Sequence, residues 1–133
     1  MYYISPEHGW GEFLEFVYLG LFERTRAGVL TDAELKVLED ELLATPRAGV
    51  VMPGTSGVRK VRAAQQGRGK SGSARVAYLY VPEQATVYFI LAFPKNVQGD
   101  LTADQKKQVR SVVAQIKSQD WPRRRPASGV RVH

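Results

Sequence analysis

The 133-residue chain has no cysteine and only two histidines, His8 and His133, set near opposite ends. Disulfide frameworks, thiolate metal sites and a cysteine nucleophile are thereby excluded. A histidine metal cluster or a serine–histidine pair is not expected either, so no metal and no cofactor are anticipated. Between Glu41 and Glu83 there is no acidic residue. No apolar run approaches the ~18 residues that would cross a bilayer, and the first residues lack a basic stretch leading into an apolar core. The expectation is a cytoplasmic protein with no membrane segment. An apolar fraction of 44% with 24% charged residues is ordinary for a globular domain, which rules out a wholly disordered or fibrous chain.

The charge is divided along the chain. Residues 1–50 hold four basic and nine acidic side chains, a net of −5, whereas residues 51–133 hold fifteen basic and four acidic, a net of +11. A basic half of this kind suits a polyanionic partner.

Residues 1–12 show no period and read as an N-terminal extension. Phe13 to Leu19 (FLEFVYL) reads as a short strand, followed by a helical turn or two ending at Gly28. Thr31 and Glu34 are spaced as a capping box, and Leu35, Leu38 and Leu42 then recur at helical spacing until Pro46 stops the helix. Val50 to Gly57 reads as a loop. Strands are expected over Val58–Ala64 (VRKVRAA), Ala74–Val81 (ARVAYLYV) and Thr86–Phe93 (TVYFILAF), the last apolar on both faces as a central strand would be. Short connections between the three make an antiparallel meander. Between the first two lies QQGRGKSG, a flexible basic loop. Its GRGKSG core lacks the spacing of a nucleotide-binding phosphate loop. Thr102 and Gln105 form a second capping box, behind which Val109, Val112, Val113 and Ile116 make an amphipathic stripe whose outer face carries Lys106, Lys107, Arg110 and Lys117. From Trp121 the chain is rich in proline and arginine and is expected to be mobile. The fold class is therefore α+β: N-terminal helices against a small antiparallel meander, closed by a C-terminal helix.

Chemistry-bearing residues concentrate on the meander. Alternation puts Lys60 and Arg62 on one sheet face and Arg59 on the other, with Arg75 opening the next strand. Like charges side by side repel, an arrangement better tolerated when an anion sits among them. The glycines of residues 67–72 allow close backbone approach to a phosphate beside Arg68 and Lys70. Tyr78, Tyr80 and Tyr88 accompany these cations, as stacking surfaces for nucleobases or as core residues.

Four segments, Gly57–Arg62 (GVRKVR), Gly67–Tyr78 (GRGKSGSARVAY), Tyr88–Asn96 (YFILAFPKN) and Asp100–Thr102 (DLT), together resemble the RelE/HigB superfamily of type II toxins, and within it a HigB-like branch. The resemblance covers residues 13–119, leaving 1–12 as an extension and 120–133 as a basic tail. It implies a RelE-like fold and a metal-independent endoribonuclease that cuts mRNA in the ribosomal A site, the ribose 2′-OH attacking the adjacent phosphate. Carried over residue by residue, Lys60 and Arg62 would orient the 2′-OH and the phosphate, with Lys60 as the base. Arg75 would stabilise the pentavalent phosphate, and Lys95 would contact the backbone or the leaving side. Arg59, Arg68, Lys70, Tyr78 and Asn96 would contact RNA. The resemblance further implies a cognate antitoxin, of HigA-like helix-turn-helix type, with the ribosome and mRNA as the other partners. Two positions depart from the pattern: Asn96 stands where an arginine credited with proton donation is expected, and Gly99, Asp100 and Leu101 stand where a tyrosine is expected. They motivate an alternative, a catalytically silent RNA- or ribosome-binding repressor.

Overall fold

The computed structural model describes residues 14–65, 73–94, 101–118 and 130–132. Along the chain run β1 (Glu15–Tyr18), α1 (Gly20–Arg26), α2 (Asp32–Ala44), β2 (Val50–Val51), β3 (Arg59–Ala64), β4 (Ser73–Val81), a 3-10 turn (Pro82–Gln84), β5 (Thr86–Pro94), α3 (Ala103–Ser118) and β6 (Val130–Val132). The class is α+β, and its strands form one sheet in the order β2-β3-β4-β5-β1-β6. The meander β3-β4-β5 is antiparallel, as expected. The sheet as a whole is mixed, because β1 lies parallel to β5 with Glu15 beside Thr86 and Tyr18 beside Phe89. Parallel neighbours need a long connection, and two helices with the rest of the meander provide it. Two further strands correct the sequence reading. Val50 and Val51, expected in a loop, pair with Lys60 and Arg59. Val130–Val132, in the stretch expected to be mobile, pair antiparallel with β1. Neither segment is long enough to show a period. No helix among the described residues is long and apolar enough to cross a membrane.

The helices divide between the two faces of the sheet. One core cluster joins Phe16, Phe22, Leu35, Leu38, Leu42, Val76, Tyr78 and Phe89, and the other joins Val17, Val58, Ala77, Leu79, Tyr88, Ile90 and Phe93 with Val109, Val113 and Ile116 of α3. Every residue of β5 from Thr86 to Phe93 is buried, which explains its continuous apolar run. Between Ala77↔Leu91 and Tyr78↔Phe89 the register slips by one, leaving Ile90 as an extra residue. This bulge puts both Ile90 and Leu91 on the α3 side, and Phe93 follows them to that face, next to Arg75 in register.

An aromatic stack fastens β1 and α1 to β5: Phe89 lies 5.1 Å from Phe22, 5.6 Å from Tyr18 and 5.7 Å from Phe16, centroid to centroid. The Thr25 hydroxyl donates to the Leu21 carbonyl at 2.8 Å and accepts from the Ala92 amide at 3.0 Å, tying α1 to the central strand. Both capping boxes form. Thr31 and Glu34 exchange bonds of 2.9 and 3.1 Å, and Thr102 and Gln105 bonds of 3.0 and 3.1 Å. The acidic residues of α2 do not all face solvent. Glu39 is 3% exposed and accepts a hydrogen bond from the Tyr18 hydroxyl, because a carboxylate inside a core needs a donor.

Candidate RNA-binding face

The register of β3 against β4 decides which cations meet. Arg62 stands directly opposite Arg75, and Lys60 opposite Ala77. Val58, two residues before Lys60, and Ala77, two after Arg75, both belong to the α3-side cluster, so Lys60, Arg62 and Arg75 share that face. Directly opposed side chains start from Cβ atoms ~4.5–5.5 Å apart, and diagonal ones such as Lys60 and Arg75 from ~7–8 Å. Three cationic side chains therefore start from neighbouring positions on one sheet face. Lys60 and Arg75 are half-buried and Arg62 is exposed.

The two arginines of the patch carry little compensation among the described residues. The ion pairs Arg26–Glu23, Arg26–Asp32 and Lys36–Asp40 all fall within the α1–α2 region. Among the described residues no carboxylate pairs with Arg62 or Arg75, and Nη1 of Arg75 is buried without a hydrogen-bond partner. Two like charges held at the spacing of directly opposed side chains repel by about 1–3 kcal/mol at an effective dielectric between those of water and a protein surface. An anion seated between them would remove that cost and give the Arg75 donor its acceptor.

A loop on the same side holds β3 in place. Thr55 donates to the Met52 carbonyl at 2.6 Å and accepts from the Val58 amide at 3.2 Å. From α3, Arg110 and Lys117 donate to the carbonyls of Gly54 and Ser56 at 3.2 Å each.

Two residues expected at RNA lie elsewhere. Tyr78 is fully buried on the α2 side. Its hydroxyl donates to the Pro46 carbonyl at 2.8 Å and accepts from the Gly49 amide at 2.9 Å. No ring face is left for a base, and burial pushes its phenol pKa up against the opposing pull of the Gly49 amide and Arg59. Arg59 points the same way and donates to the Gly49 carbonyl at 2.7 Å. Gly49 is required there, since a Cβ would come within 2.9 Å of the Lys60 carbonyl and of the Tyr78 ring. Tyr78, Arg59 and Gly49 thus form a latch that holds the end of the α2–β2 connection against β3 and β4. The latch was not legible beforehand, because its partners are 10 and 29 residues apart and two of its three bonds to the connection end on backbone carbonyls. Arg68, Lys70, Lys95 and Asn96 lie outside the described residues.

Residues 50–121 match the family model described as the RelE toxin of the RelE/RelB toxin-antitoxin system. That span is just over half of the chain and runs from β2 through α3, so it contains the whole meander and its basic face. The chain belongs to the RelE toxin family. This toxin is accordingly one half of a toxin–antitoxin system, and an antitoxin is its partner. The family match begins after β1, α1 and α2, so the aromatic stack and the α2 capping box are features of the chain outside the matched region.

Proposed function

We propose that this toxin is a HigB-like, ribosome-dependent mRNA endoribonuclease whose reaction is driven by the cations of the β3–β4 face. The observation that carries the proposal is the pairing of Arg62 with Arg75 on the face of Lys60, with the Arg75 Nη1 buried and unpartnered among the described residues. Such a site suits one phosphodiester and offers donors where charge grows as the phosphate becomes pentavalent.

In this reading Lys60 takes the proton of the ribose 2′-OH while its oxygen bonds to phosphorus. Arg62 orients the phosphate. Arg75 donates to the equatorial oxygens, where negative charge develops. The bond from phosphorus to the 5′-oxygen breaks, and that oxygen gains a proton on the side assigned to Lys95, with Asn96 contributing a hydrogen bond. The products are a 2′,3′-cyclic phosphate and a 5′-hydroxyl end. Arg68 and Lys70, on the glycine-rich loop, grip ribosomal RNA. The reaction proceeds without a metal ion, because protein cations supply the charge.

The test is a purified translation system programmed with a single mRNA, with cleavage mapped by primer extension. Cuts should appear only when ribosomes are translating. A message left intact by a toxin that binds ribosomes normally would replace the enzyme with the occupancy-only repressor.

A further inference from the structure

A groove of about 420 Å³ lies between α1 and α3, lined by Leu21, Arg24, Lys107, Gln108, Ser111, Val112 and Gln115. It exists because α1 serves both cores: Phe22 enters the α2-side cluster, while Leu21 and Val112 pack at the margin of the α3-side cluster. Leu21 and Val112 give it an apolar floor and are half-buried, whereas Arg24, Lys107, Gln108, Ser111 and Gln115 are exposed around them. Among the described residues the rim thus has two cations and three neutral hydrogen-bonding groups, and no carboxylate lines it. The groove belongs to the β5–β1 half of the sheet, since α1 and α3 both pack on β5. Lys60, Arg62 and Arg75 stand on β3 and β4.

We propose that this groove anchors an acidic, amphipathic segment of the antitoxin, separately from the RNA-cutting face; the proposal rests on the toxin–antitoxin membership established above. An apolar floor takes Leu- or Val-like side chains, the two cations take flanking carboxylates, and the serine and glutamines hydrogen-bond the segment's polar groups. RNA fits less well, because the described lining residues include no aromatic ring for a base to stack on and only two cations for a backbone.

The experiment measures affinity for the small protein encoded beside this toxin, by calorimetry, for three variants of the full chain. Arg24→Glu with Lys107→Glu reverses the rim charge, Ser111→Trp fills the groove without changing charge, and Lys36→Glu on α2 is a charge control. The first two should weaken binding at least 30-fold and the third less than threefold, with circular dichroism unchanged and mRNA cleavage retained. Normal affinity in both groove variants would overturn the groove as the anchor, and so would lost ribosome binding with antitoxin affinity intact, which would make it an RNA surface. If the unaltered toxin fails to bind that protein, the partner assignment falls, and the anchor with it.

Discussion

Replacing Tyr78 by phenylalanine removes a single oxygen and keeps the ring that fills the core. That oxygen serves two backbone groups, accepting from the buried Gly49 amide at 2.9 Å and donating to the Pro46 carbonyl at 2.8 Å. The carbonyl is only partly buried and can turn to water, whereas the amide cannot. Leaving one buried donor unpaired and losing one further net hydrogen bond costs about 2–3 kcal/mol. Unfolding entropy of ~2.1 cal/mol/K per residue over this chain converts each kcal/mol into about 4 °C, so Tm should fall by roughly 7–11 °C. Differential scanning calorimetry measures it directly. Cleavage of mRNA, assayed well below the new Tm, should keep the wild-type rate to within a few-fold, because the hydroxyl lies on the sheet face opposite Lys60. A Tm within about 2 °C of wild type, or a stable variant that no longer cuts, would refute the assignment of Tyr78 to the latch and return it to the RNA.

Other outcomes follow from the same geometry. Arg75→Ala should lower the cleavage rate ~10²–10³-fold, in line with the loss of one donor to a charged transition state. Arg62→Ala should do likewise, without lowering Tm, since a like-charge contact disappears with it. Phe89→Ala, which empties the centre of the aromatic stack, should cost about 3–5 kcal/mol in denaturant titrations. Thr31→Ala breaks the α2 capping box and should cost about 1 kcal/mol by the same measurement. Burial raises the Glu15 carboxyl above its ordinary 4.5. Its folded form therefore favours the proton, a contribution that is fully present below pH 4.5 and is lost as pH rises through the folded pKa. Glu15→Gln should accordingly raise Tm at pH 7 but not at pH 4, and an equal effect at both would show that the carboxyl is not perturbed.

Much of this molecule was readable before its structure because its signals are local. The boxes Thr31–Glu34 and Thr102–Gln105 each close within four residues, and both form as expected. The meander strands are long and fall within a residue or two of their expected ends. Alternation along β3 sufficed to separate Lys60 and Arg62 from Arg59, and pairing across β3 and β4 then joined Arg75 to them. What escaped depends on distant or short partners. The parallel seating of β1 on β5 joins positions about 70 residues apart, and β2 and β6 have two and three residues. Tyr78 illustrates the limit of composition: a tyrosine among cations reads equally well as a base platform or a core anchor, and only the side of the sheet distinguishes them. Glu39 is similar, since its place in an acidic helix conceals its burial against Tyr18.

In the proposed mechanism the cations facing α3 break one RNA linkage through its own 2′-OH. The most direct measurement is the chemistry of the cut ends, taken from mRNA exposed to translating ribosomes and toxin. The wild-type toxin should leave a 2′,3′-cyclic phosphate on one fragment and a 5′-hydroxyl on the other, and Arg75→Ala should leave the message nearly whole. Fragments carrying a 3′-hydroxyl and a 5′-phosphate, or undiminished cutting by Arg75→Ala, would contradict it.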